Sequence, residues 1–364
     1  MENTIKVPEN TIESIWQQKP LIISGPCSAE TEEQVIKGAE DLAATGKVNV
    51  FRAGIWKPRT KPGMFEGVGA AGLPWLQEAK KRTGLPMAVE VATAKQVEQA
   101  LAHDVDMLWI GARTTVNPFS VQEIADALQG AKVPVFIKNP INADIELWSG
   151  AMERISRASI SKIGLIHRGF SSYGNTQYRN APMWHLAIDM KLRYPDAVMI
   201  NDPSHICGRR DTLQAVMQKA ADLDYDGLMI ESHIDPDNAW SDAAQQITAE
   251  RLNELLDQIQ WRKEDANSVS YHTALEAIRQ KINQLDDELL QLLSRRMMFA
   301  EEIAQYKKAN NITILQAGRW SEVLDNAIKT GEKKGLSKDF ITKYYDAIHI
   351  ESINHQKKIM DAQD

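Results

Sequence analysis

Cys27, His205, Glu231 and Asp242 are the side chains of this 364-residue sequence best suited to holding a divalent transition metal. A thiol, an imidazole and two carboxylates make a mixed soft and hard donor set. Singly each says little, since a buried cysteine is usually structural and a loop aspartate usually caps or turns the chain. A second group has the opposite sign. Arg52, Lys57, Arg59 and Lys61 stand on the stretch 51–65, which Pro58 and Pro62 stiffen and Gly54 and Gly63 loosen. Fixed cations on a loop whose backbone can approach its ligand are what a phosphate grip needs. Arg113, Lys138 and Arg168 follow three further apolar runs. Together these cations describe a pocket for a multiply anionic substrate, although each alone reads as an ordinary solvated loop charge.

The elements that must position these residues alternate with regularity. Short apolar runs predict strands at 21–24, 48–53, 86–91, 107–112, 134–138, 162–167, 197–201 and 227–232. Helical patterns follow at 31–44, with Thr31 as its cap, and at 72–82, 94–103, 119–129, 144–158, 183–194, 211–223 and 246–260. Eight such units in about 240 residues are the size of a closed parallel (β/α)8 TIM barrel, with an open doubly wound sheet as the alternative. In a barrel the active face lies at the carboxyl ends of the strands. Cys27 then ends strand 1, His205 follows strand 7, and Glu231 ends strand 8 with Asp242 on the loop beyond. Strands 7, 8 and 1 are neighbours in a closed ring, so the four donors converge. The cations of strands 2, 4, 5 and 6 are expected in the opposite sector.

Composition narrows the function classes. A net charge of −7 argues against nucleic-acid binding. No apolar run approaches the roughly 20 residues that cross a bilayer, and the opening Met1-Glu2-Asn3-Thr4 lacks an export pattern, so a cytoplasmic protein is expected. Two cysteines, Cys27 and Cys207, are too few for a disulfide scaffold. Cys207 receives no role, and a Cys27–Cys207 disulfide is disfavoured in a reducing compartment.

The rhythm breaks at the charged segment 262–268. The expected division is a barrel at 1–262, a linker at 263–270 and a separate all-α domain at 271–364. Residues 273–308 read as one long helix, followed by helices at 318–331 and 338–361. Its apolar seam, Leu275, Ile278, Ile282, Leu285, Leu289, Leu292, Phe299, Ile303 and Tyr306, is interrupted at Arg296. A cation in such a seam calls for an answering anion. Lys307, about three turns on, shares its face, whereas Arg279 points roughly a quarter turn away. A coiled-coil stalk whose arginine sets register is the competing reading.

The segments Gly25-Pro26-Cys27-Ser28, Arg52 to Thr60 and Asp202-Pro203-Ser204-His205 resemble those of 3-deoxy-D-arabino-heptulosonate 7-phosphate (DAHP) synthase, in its short bacterial type I beta branch. The resemblance spans residues 20–260. It implies Cys27, His205, Glu231 and Asp242 as ligands of a divalent ion, Mn2+ first, with Co2+, Zn2+, Fe2+ or Cd2+ as alternatives. It implies Arg52, Lys57, Arg113, Lys138 and Arg168 for phosphoenolpyruvate, and Arg59 and Thr60 for erythrose 4-phosphate. Lys57 becomes the candidate proton donor and Asp202 a residue that orients the aldehyde. Arg209 and Arg210 could add to the sugar-phosphate site. The related 8-phosphate octulosonate synthases lack the Lys57-Pro58-Arg59-Thr60 spacing.

Residues 275–356 resemble the all-helical chorismate mutases through the spacing of Arg279, Arg296, Lys307, Arg319, Ser352 and Gln356. In that family two chains intertwine and the first arginine enters the partner's site. The resemblance therefore implies a homodimer through the helical domain. Arg279, Arg296 and Arg319 would clamp the carboxylates of chorismate, and Lys307 and Gln356 would donate to its ether oxygen. Gln316 and Trp320 stand where acids are usual. The two resemblances together imply a bifunctional enzyme of aromatic amino-acid biosynthesis; beyond them, the tail is expected to act as a sensor, prephenate or chorismate bound there inhibiting the barrel. A catalytically silent dimerisation tail, and a barrel with another metal-dependent aldolase activity, are the rivals.

Overall fold

The computed structural model describes residues 12–58, 63, 65–172, 177–263, 265 and 268–362. They divide into two compact units, 1–264 and 265–364.

In the first unit eight strands close into a parallel barrel in chain order: β1 Leu21–Gly25, β2 Val50–Arg52, β3 Met87–Val91, β4 Met107–Ile110, β5 Val135–Lys138, β6 Ile163–His167, β7 Val198–Asn201 and β8 Gly227–Glu231. The ring is sealed by β1 against β8, with Leu21 beside Gly227 and Gly25 beside Glu231. The helices are α1 Ile12–Trp16, α2 Glu32–Ala44, α3 Gly72–Thr83, α4 Ala94–Ala102, α5 Ala112–Thr115, α6 Pro118–Ala127, α7 Ile145–Arg157, α8 Trp184–Arg193, α9 Pro203–Cys207, α10 Leu213–Asp222 and α11 Ala249–Gln258. Side-chain oxygens at Thr31, Thr93, Asn117, Asp144 and Thr248 accept from the first-turn amides of α2, α4, α6, α7 and α11. Polar caps thus fix where these five helices begin.

The apolar strand residues serve two cores. One lies between sheet and helices, and an inner one fills the ring with Ile23, Trp109, Phe136, Ile166 and Met229. Gly164 makes room there, because a Cβ would sit 2.1 Å from the Phe136 ring. The stretch before β1, for which the sequence predicts no element, contains α1. Ile15 is fully buried in the inner core and Trp16 packs on Phe136, so α1 plugs the amino-terminal end of the ring.

The second unit contains α12 Val269–Ala309, α13 Ala317–Glu332 and α14 Lys338–Asp361. Met297, Ala300 and Ala304 are the buried residues of α12, and Ile341, Ile348 and Ser352 those of α14. The expected seam is not covered within the chain: Ile282, Leu285, Leu292 and Phe299 are 50–62% exposed. Small and flexible residues one face round carry the packing.

Candidate functional sites

Cys27 follows β1, Glu231 ends β8, Asp242 lies in the loop beyond it, and His205 sits on α9, whose N-cap Asp202 accepts from the His205 amide at 3.1 Å. The donor atoms of Cys27, Glu231 and Asp242 lie within 4.8 Å of one another. Cys27 Sγ is 3.3 Å from Asp242 Oδ2, and His205 Nε2 is 3.7 Å from Glu231 Oε1. Bonds of roughly 2.0–2.3 Å at tetrahedral angles would separate donors by roughly 3.3–3.8 Å, so the spacing suits a small divalent ion. Glu231 Oε1 is buried without a hydrogen bond among the described residues. Burial, with Glu231 close by, pushes the Cys27 thiol up to about 12. Burial also lowers His205 and favours the neutral imidazole that ligates. A thiol and two acids gathered within 4.8 Å, with the His205 imidazole beside Glu231, fit a cation, which would invert the pressure on the thiol.

Lys57, Glu90, Arg113, Lys138 and Arg168 line a cavity that Asp242 and His205 also reach. Cations and acids are interleaved there, so the expected opposite sectors are corrected. Arg52 is fully buried, with Nη2 3.3 Å from Glu231 Oε1 and its guanidinium over the Trp109 ring. The reason is topological, since β2 is the other neighbour of β1. Arg52 Nε and Nη1 are buried without partners among the described residues, as donors for an anion would be. Lys138 Nζ donates to Asp202 Oδ2 at 2.7 Å. Burial lowers the Lys138 pKa and Asp202 opposes that shift. Arg168 is lowered to about 10 by burial and stays charged at neutral pH. Burial also pulls Lys57 down, but the negative charges of the Cys27 sulfur when ionised, of Glu90, 4.0 Å away, and of Glu231 outweigh it and raise the amine.

Other expectations change. Asp202 does not face the cavity: it is fully buried behind Lys138 and His205, because its oxygens cap α9 and hold those two side chains. Arg209 pairs with Asp211 at the surface, and Arg210 donates to the carbonyls of Ala243 and Gln246, bracing the Asp242 loop rather than entering the cavity. Cys27 and Cys207 are both free, buried thiols. Arg59 and Thr60 lie outside the described residues.

Sequence reasoning missed Glu90 and Arg179. Glu90 interrupts the apolar run Met87–Val91 near its carboxyl end and accepts from Trp109 Nε1 at 3.2 Å. That lone acid was a readable signal. Arg179, on a loop without periodicity, carried none.

In the helical unit Arg296, Lys307, Arg319, Ser352 and Gln356 line one cavity of about 310 Å³, within the usual range for a small-molecule site, about 300–1,000 Å³. Arg296 donates to Ser352 Oγ, and Lys307 Nζ donates to Gln356 Oε1 at 3.1 Å. Burial lowers the Lys307 pKa. Gln316 and Trp320 also line it, and Trp320 stacks on His349 at 4.0 Å. Arg279 is exposed and does not line this cavity.

Residues 5–268 match the family model described as the DAHP synthetase I family, and residues 278–357 match chorismate mutase type II. A phospho-2-dehydro-3-deoxyheptonate aldolase of Thermotoga maritima is 30% identical over 257 residues, covering 69% of this chain and 74% of that protein. A 2-dehydro-3-deoxyphosphooctonate aldolase of Syntrophotalea carbinolica is 27% identical over 275 residues, covering 70% of this chain and 94% of that protein. The crystal structure of the Thermotoga maritima DAHP synthase superposes with a TM-score of 0.58 at 28% identity, over 65% of this chain and 67% of that one. Barrel, strand-end cluster and matched residues agree: the chain belongs to the DAHP synthetase I family and, with a chorismate mutase type II region in its helical unit, is an enzyme of both kinds.

Proposed function

We propose that the barrel condenses phosphoenolpyruvate with erythrose 4-phosphate in a metal-dependent reaction, and that the helical unit rearranges chorismate to prephenate. The clustering of Cys27, Glu231 and Asp242, with His205 beside Glu231, next to a cation-lined cavity carries the first part. Arg113, Lys138 and Arg168 hold the phosphate and carboxylate of phosphoenolpyruvate, and Arg52 backs them through its unpartnered N–H groups. Arg59 and Thr60 take the sugar phosphate. Cys27, His205, Glu231 and Asp242 would hold a divalent ion, Mn2+ first, which would supply Lewis acidity at the aldehyde oxygen. Carbon 3 of phosphoenolpyruvate bonds to the aldehyde carbon, water adds at carbon 2, and the C–O bond to phosphate breaks. Lys57, kept charged by its neighbours, gives its proton to the new alkoxide. Asp202 holds Lys138 and His205 in place.

Product formation from the two substrates, lost on adding a chelator and restored by Mn2+, is the expected result; condensation untouched by the chelator overturns the metal reading. The octulosonate-type aldolases among the relatives would instead need a five-carbon aldehyde, so turnover with that sugar phosphate and none with erythrose 4-phosphate would move the assignment to them.

In the helical unit Arg296 and Arg319 bind the carboxylates of chorismate, and Lys307 and Gln356 donate to the ether oxygen as it breaks. The uncovered seam of α12 supports a homodimer in which Arg279 reaches the partner's cavity. A silent tail is the second reading, favoured by Gln316 and Trp320 in place of acids, and chorismate turnover by the full chain decides between them. Prephenate held in this unit inhibits the synthase, in a protein of the cytoplasm. Equal inhibition of the full chain and of one truncated at Arg262 would sink the regulatory reading.

A further inference from the structure

Arg179 lies between β6 and α8, and no step above uses it. Its Nη1 donates to Asp242 Oδ1 at 2.9 Å and to Gln245 Oε1 at 2.8 Å. Gln245 Nε2 in turn donates to Glu231 Oε2 at 2.6 Å. One oxygen of each carboxylate is therefore held away from the cluster. The other two, Asp242 Oδ2 and Glu231 Oε1, are those facing Cys27 Sγ at 3.3 Å and His205 Nε2 at 3.7 Å.

A carboxylate turns easily about its last bond and can offer either oxygen or both to an ion, so a defined centre needs something to choose. Asp242 has particular need of it, being loop-borne with a left-handed backbone, φ 48°. Arg179 is itself fixed. Its amide donates to the Cys207 carbonyl at 3.3 Å, and Asn180 Nδ2 donates to the His205 carbonyl at 2.6 Å. Its stem crosses Gly208, where a Cβ would fall 2.5 Å from Arg179 Cβ. The bracket that holds the guanidinium thus runs through the turn that carries His205.

We propose that Arg179, directly on Asp242 and through Gln245 on Glu231, is a positioning residue of the metal centre, choosing which carboxylate oxygen meets the ion. The inference rests on the four-ligand reading above. The Arg179 side chain is 48% exposed at the cavity mouth, where an ion pair adds little to stability, so its variants are expected to fold.

The test titrates Co2+ into the chelator-stripped full-length chain against a competing metal dye. Wild type, Arg179→Ala, Arg179→Lys, Gln245→Leu and Cys27→Ala are compared. Arg179→Ala is expected to bind Co2+ on the order of 10–100-fold more weakly, and Arg179→Lys, which keeps a charged donor, to recover part of that. The visible Co2+ spectrum should shift in Arg179→Ala, and its synthase activity should return at high metal concentration. Gln245→Leu carries the same test if Arg179→Ala does not fold. Affinity and spectrum unchanged in both variants, while Cys27→Ala loses binding, would overturn the role of Arg179 and leave the four ligands standing. A wild type that binds no Co2+ would overturn the four-ligand reading, and this proposal with it.

Discussion

Asp202 Oδ2 lies 2.7 Å from Lys138 Nζ, and the same oxygen lies 2.8 Å from His205 Nδ1. One buried atom therefore joins the lysine proposed to hold phosphoenolpyruvate to the imidazole proposed to hold the metal. Asp202→Asn keeps the shape and removes the charge. Because Asp202 opposes the fall in the Lys138 pKa that burial causes, its loss should lower that pKa further. The alkaline limb of the synthase kcat/KM profile is then expected to move to lower pH, with kcat/KM down on the order of 10–100-fold. An unmoved limb would mean that Lys138 does not depend on Asp202.

Gly54 separates Arg52 from Lys57 where the chain leaves β2. A Cβ there would meet the Cys27 carbonyl oxygen at 2.4 Å and Lys57 Cδ at 2.7 Å. The carbonyl cannot give way without moving the Cys27 loop. Gly54→Ala is expected to cost about 1–3 kcal/mol of stability and most of the synthase activity, while chorismate turnover persists. Denaturant melts and paired assays on one preparation check it.

Arg296 and Ser352 are hydrogen-bonded across the helical cavity. Arg296→Ala removes a charged donor aimed into that space and should lower mutase kcat/KM by about 10²–10³-fold, the cost typical of losing one such electrostatic donor. Synthase activity in saturating metal should persist. A loss of less than about threefold would favour the silent tail.

His167 is fully buried. Its Nε2 donates to the Pro182 carbonyl at 2.6 Å, and its Nδ1 is 2.9 Å from the Tyr225 hydroxyl. Burial lowers its pKa from 6.5 to about 4. Between those values the unfolded chain binds more protons than the folded one, so stability rises with pH across the window. The contribution is complete above pH 6.5 and is lost as pH falls toward 4, with a size on the order of 3 kcal/mol. Urea melts between pH 4 and 7 should show this slope, and His167→Gln should flatten it.

The barrel was legible because strands buried on both faces are written as short, continuous apolar runs, such as 134–138 and 197–201. Their order then places strand ends in space, which brought Cys27, His205, Glu231 and Asp242 forward as a group. Arg52 was set in the wrong sector because its charge was grouped with other charges rather than with its strand's neighbour. Arg179 and Gln245 were invisible, since a loop residue that acts through another side chain leaves no pattern in sequence. The seam of α12 was legible only in part. Its apolar spacing records that the face is to be covered, but not whether by the same chain, and within this chain Leu285 is 62% exposed.

The closing seam of the ring has a consequence for how the protein matures. Ser24 donates to the carbonyl of Ile230, 206 positions along the chain, and Cys27 meets Asp242 only because that pairing is made. Contacts so distant in sequence are slow to form, because the chain between them must first be ordered. On the four-ligand proposal, ion affinity would therefore belong to finished barrels alone, and metal uptake during refolding should report the last step of assembly rather than the first.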